Sequence, residues 1–144
     1  MSTFSSLPTY LIGALCLALG ISGFIRPETE YPRFGLPLEP PASTTPSTPT
    51  TSTNNIERER GTVSPLIYIK SIREITYGLA LIFLQYQGQE KAITTLAGIF
   101  SLAGLGDGFV VWIFGGEEKW TAFNHWGTFV GLLGWAVWRG RIAA

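Results

Sequence analysis

The sequence predicts an all-α membrane protein: an up-down-up-down bundle of four transmembrane helices interrupted by one disordered Pro/Ser/Thr loop. Three observations carry that expectation. Four apolar segments, 7–25, 66–84, 92–114 and 121–138, each have the roughly 17–25 residues that a helix needs to cross the hydrocarbon. Charged residues make up only 14% of the 144, well below the share in ordinary soluble domains, while apolar residues make up 46%. The connections near Gln85–Lys91 and Gly115–Trp120 are short, which forces the helices they join to lie antiparallel. The whole of 1–144 is expected to form a single domain.

The formal net charge is zero, so no electrostatic footprint points to nucleic acid. The lone Cys16 excludes a disulfide framework and a cysteine-based metal site. The first segment reads as a retained span rather than a cleaved leader, because no Lys or Arg precedes its apolar run. All four spans are near the short end of the range, which suits a thin bilayer such as that of the endoplasmic reticulum. Pro, Ser and Thr dominate the stretch that follows, so residues 37–63 are expected to stay disordered.

The second segment starts after Ser64, placed to cap its N-terminus, and Pro65, which the first helical position tolerates. The third and fourth segments carry small residues four apart, Gly104/Gly108 and Gly127/Gly131, a spacing that lets helix backbones approach closely in lipid. Trp112, Trp120 and Trp126 are expected near one membrane interface. Trp135 and Trp138 are expected near the other, with Arg139 and Arg141 just beyond.

The second segment poses the chemical question, since it places Lys70, Arg73 and Glu74 within a lipid-length helix. A central charge costs about 2.5–3.5 kcal/mol on insertion scales, so three cost roughly 8–10. Its ten Leu, Ile and Phe residues contribute only about 3–6 kcal/mol in return. The charges must therefore sit off-centre and find partners. At 100° per residue, Lys70, Arg73, Glu74 and Tyr77 share an arc of roughly 100°, one face of the helix.

Alternating spans put the start of the second helix, the end of the third and the start of the fourth on one side. With a rise of about 1.5 Å per residue, Lys70 and His125 lie about 6 Å deep, and Arg73, Glu74 and Asp107 about 10–12 Å deep. Three helices thus deliver their intramembrane ionisable groups to one depth band. Such groups mark functional sites by default. The competing reading is a structural ion-pair network, with Arg73–Asp107 or Lys70–Glu74 locking the bundle.

No phosphate-binding glycine loop, haem, quinone or flavin motif, or paired metal-ligand spacing is present, so no cofactor and no metal are expected. The chemistry left is acid–base catalysis on a lipophilic small molecule.

The blocks "IRPETEYPRFGLP", "YIKSIREITYGLAL", "GLGDGFVVW" and "NHWGTFVGLLGW" resemble the ordered blocks of a fungal family of small four-span integral membrane proteins. That family is catalogued as a domain of unknown function and is loosely similar to DoxX-like four-helix proteins. Phe34-Gly35-Leu36-Pro37, Lys70, Arg73, Glu74, Gly78, Gly106-Asp107 and His125 take the places of its usual motifs. Glu74 stands where Asp is commoner. The resemblance implies a setting in fungal secondary-metabolite pathways, where such proteins are linked to cyclisation or epoxide steps.

The expected function is therefore a membrane-embedded tailoring enzyme acting on a polyketide or terpenoid intermediate, by cyclisation, epoxide opening or isomerisation. Glu74, Asp107 and His125 would transfer protons. Lys70 and Arg73 would keep the carboxylates charged or stabilise a developing oxyanion, with Tyr77 lining the substrate site. The expected partners are the lipophilic substrate, the bilayer, and pathway enzymes or a second copy of the chain. The alternative is a non-catalytic membrane scaffold or accessory subunit of a biosynthetic complex.

Overall fold

The computed structural model describes residues 5–39 and 62–143, all-helical apart from short links and one isolated backbone bridge between Glu39 and Thr62. Among the described residues five α-helices follow in order: α1 (Leu7–Ile25), α2 (Pro27–Phe34), α3 (Leu66–Tyr86), α4 (Glu90–Phe114) and α5 (Ala122–Ala143). A 3-10 turn, Gly116–Thr121, leads into α5. Most of the stretch expected to be disordered, 40–61, lies outside the described residues.

Two antiparallel pairs build the fold. α1 packs along α3, and α4 along α5, while α3 and α4 meet far less extensively. Glycines set the first seam. A Cβ on Gly78 would stand 2.6 Å from the Gly13 carbonyl oxygen, and one on Gly20 would stand 2.7 Å from the Ser71 carbonyl oxygen. Backbones this close leave no room for a side chain. In the second seam Gly104 does the same work, with a Cβ position 3.0 Å from the His125 carbonyl oxygen.

Gly127 and Gly131 depart from expectation. They have open space around them and face outward, so only the α4 half of that small-residue pair is a packing surface. The hydroxyls in the long helices are mostly satisfied locally. Ser71 Oγ donates to the Ile67 carbonyl at 2.8 Å and Thr76 Oγ1 to the Ile72 carbonyl at 2.8 Å, which removes a polar group from an apolar surface without a partner helix.

By length and composition, α1 and α4 are each long and apolar enough to cross a membrane. Only 22% of the apolar window in each is buried, so neither is the enclosed helix of a water-soluble core. The four spans expected from sequence reduce to these two on that criterion. α3 fails because Lys70, Arg73 and Glu74 fall within every window, and Asn124, His125 and the glycines and tryptophans of α5 lower its apolar character.

Three local expectations are corrected. Ser64 does not cap α3 with its side chain; its backbone carbonyl accepts from the Ile67 N–H at 3.1 Å instead. Arg139 does not lie beyond the last helix. α5 continues to Ala143, and Arg139 is 1% exposed inside it. Trp135 is turned inward to line a cavity rather than standing in an interfacial belt. The sequence reading also assigned no element to 26–36, where α2 forms. Pro27 opens that helix, Glu28 and Glu30 sit in its first turn, and Gly35 closes it at φ 101°, a left-handed conformation that glycine accepts readily.

Candidate functional site

The two helix pairs leave between them a cavity of about 480 Å³. Its apolar wall comes from Ile12 and Leu15 of α1, Leu81 of α3, Ala97 and Phe100 of α4, and Leu132 and Trp135 of α5. Lys70, Arg73, Glu74, Tyr77, Asp107 and His125, the six candidates read from the sequence, all line it. The helical arc computed for α3 explains four of them. The antiparallel order of α3, α4 and α5 brings Asp107 and His125 to the same end.

Both ion pairs foreseen as a structural alternative are formed. Lys70 Nζ lies 2.7 Å from Glu74 Oε1, one helical turn away, with both side chains about 15% exposed. Arg73 Nη2 reaches across to Asp107 Oδ2 at 2.6 Å, joining one helix pair to the other. Neither pair is fully satisfied. Glu74 Oε2 and Arg73 Nε are buried without a hydrogen-bond partner among the described residues.

His125 is held by α2. Its Nε2 lies 2.9 Å from the Phe34 carbonyl oxygen, and the two rings meet edge to face at 4.8 Å. A carbonyl oxygen only accepts, so Nε2 carries the hydrogen and, in the neutral ring, Nδ1 is the basic atom. The same Phe34 ring takes the Lys70 ammonium over its face at 5.2 Å. Tyr77 stacks on Phe100 at 3.8 Å, giving the middle of the cavity a flat aromatic surface.

α2 supplies residues that sequence reasoning missed. Glu30 is 4% exposed, accepts from Ser22 Oγ at 2.7 Å and pairs with Arg33 Nη1 at 3.1 Å. Glu30, Arg33 and Phe34 all line the cavity. The spacing of Glu30 and Arg33, three apart on one helix face, was the available signal. Tyr31 anchors the helix from the other side. It is 5% exposed, and burial, aided by the Glu39 carboxylate, pushes its phenol above the usual range.

Among the described residues no group of three or more His, Cys, Asp or Glu side chains is placed to hold a metal ion.

Residues 13–139 match the family model described as Domain of unknown function (DUF4267). The chain belongs to that family. The DUF4267 match takes in every ionisable residue of the cavity, from Cys16 on α1 to His125 on α5. Comparison with curated proteins and with solved structures finds no match.

Proposed function

We propose that this protein is a multi-pass membrane enzyme that binds a lipophilic intermediate between its helix pairs and transforms it by cofactor-independent acid–base chemistry. The observation that carries this reading is the cavity itself. Apolar walls line a half-open space within the range of small-molecule sites, and the charged groups of α3 and α4 converge with His125 of α5 at one end of it. His125 offers a base at Nδ1, and Glu74 and Asp107 offer carboxyl groups. Arg73 and Lys70 stand where negative charge on a substrate oxygen would be stabilised.

Cyclisation, epoxide opening and isomerisation need only such positioned acids and bases, and a fungal secondary-metabolite pathway acting on polyketides or terpenoids is the setting the family resemblance suggests. Deleting the gene and profiling metabolites tests the proposal. Accumulation of an uncyclised or epoxide-bearing intermediate is expected, and an unchanged profile would contradict it.

The membrane reading extends to all four long helices. α3 exposes Ile69, Ile72, Leu79 and Phe83 while its Lys70, Arg73 and Glu74 line the cavity, and α5 exposes Val130, Leu133 and Val137 while its Arg139 is buried. This pattern supports four spans in a thin bilayer, the endoplasmic reticulum being the natural candidate. Cysteines placed at Glu28 and Lys119 should then label from one side, and those at Gln87 and Arg141 from the other, in a Cys16→Ser background. A shared side for Glu28 and Gln87, or for Lys119 and Arg141, would rule out the four-span arrangement.

A scaffold role is the second reading, favoured by the open glycine faces at Gly127, Gly131 and Gly134, where another helix could approach.

A further inference from the structure

The cavity is polar at one end only. Lys70 and Leu81 lie about 16 Å apart along α3, Asp107 and Ala97 about 15 Å apart along α4, and His125 and Trp135 about 15 Å apart along α5. In each helix the first-named residue stands at the α2 end and the second at the opposite end. The charged side chains lining the cavity and His125 gather at the α2 end, Cys16 and Tyr77 lie between, and Leu81, Ala97, Leu132 and Trp135 make the far end. Behind Trp135 the guanidinium of Arg139 lies over its ring at 5.1 Å and is itself held by Glu90 and Thr94. That end is backed by a fixed structure.

The charges at the polar end balance. Lys70 pairs with Glu74, Arg73 with Asp107 and Arg33 with Glu30, leaving three cations matched to three carboxylates. A ligand bringing a further charge would have to be desolvated with no surplus counter-ion to meet it. A ligand presenting a hydroxyl or carbonyl oxygen meets donors and acceptors without that cost.

We propose that the cavity takes an elongated, single-tailed amphiphile with an uncharged, oxygen-bearing head, the head lying at His125 and Lys70 and the tail running to Trp135. This rests on the reading of the cavity as a binding site and adds to it the ligand's shape, charge and direction.

Photo-crosslinking tests it on the full chain in phosphatidylcholine nanodiscs. Two long-chain 1-alkanols are used, one with a diazirine beside the hydroxyl and one with it at the far end of the chain. Only labels removed by excess unmodified alkanol are counted. The head-side reagent should label around Lys70–Glu74 and His125, and the tail-side reagent around Ala97–Phe100 and Leu132–Trp135. Leu132→Trp, which fills the far end, should abolish the tail-side label and leave the fold's thermal transition in place.

The matched fatty acid should compete no better than the alkanol. Displacement about tenfold stronger by the acid would overturn the uncharged head. Reversed labels, or both reagents marking one end, would overturn the orientation while leaving a binding site. Protectable labels confined to outward residues such as Ile69 and Val130 would remove the binding site altogether, and the proposed function with it.

Discussion

The glycines show most directly what a residue contributes here. A Cβ on Gly78 would stand 2.6 Å from one backbone oxygen of α1 and 2.8 Å from Leu17 Cγ, whereas one on Gly127 would meet nothing within 4 Å. Gly78→Ala should therefore destabilise by about 1–3 kcal/mol through forced separation of α1 and α3. Gly127→Ala should be neutral or stabilising by about 0.5–1 kcal/mol, because it only removes backbone freedom. Thermal unfolding in detergent checks the pair, and equal effects would show that the α1–α3 seam is not set by close approach. Spacing alone could not separate these glycines. Gly104/Gly108 and Gly127/Gly131 have the same four-residue period, and what distinguishes them is which face of each helix meets a neighbour. The α3 charges were more legible, because a run of charges in an apolar helix has one low-cost direction to point. Lys70, Arg73, Glu74 and Tyr77 all point there.

At the scale of elements, α4 and α5 are clasped at the end remote from α2. Arg139, 1% exposed, pairs with Glu90 and donates from Nε to Thr94 Oγ1 at 3.1 Å. Gln85 Nε2 adds a contact to Glu90 from α3 at 3.4 Å. Arg139→Leu alone strands the Glu90 carboxylate and should cost about 3–5 kcal/mol. Arg139→Leu with Glu90→Leu should recover most of that loss, because the pair is then replaced by apolar contact. A double variant no more stable than the single one would show that Arg139 acts through Thr94 and Trp135 instead. The sequence hid this clasp. A basic residue at the end of an apolar run reads as an interfacial anchor, and only the extra turn of α5 to Ala143 brings it inside. It hid α2 for a related reason. Eight residues with two prolines and three charges carry little apolar periodicity, and the helix is stabilised by the burial of Glu30 and Tyr31 rather than by its own pattern.

On the scale of the whole molecule, the architecture is two antiparallel pairs with a cavity where they fail to close. All-helical character and antiparallel order followed from segment length and short links. The grouping into pairs did not, because it depends on Gly13, Gly20 and Gly78 meeting across α1 and α3. The convergence of Asp107 and His125 on the α3 charges followed from alternation alone, whereas the holding of His125 by the Phe34 carbonyl required α2. The proposed function requires that this converging cluster do chemistry rather than merely lock the helices. His125→Ala, Asp107→Asn and Glu74→Gln test it when thermal stability in detergent and product yield are measured on the same three variants. Asp107→Asn and Glu74→Gln keep shape while removing charge and basicity. Near-native unfolding temperatures with product lost in each variant are expected. Full product from all three would contradict that requirement. So would stability falling by several kcal/mol with product falling only in proportion, the result expected when one partner of a merely structural buried pair is removed.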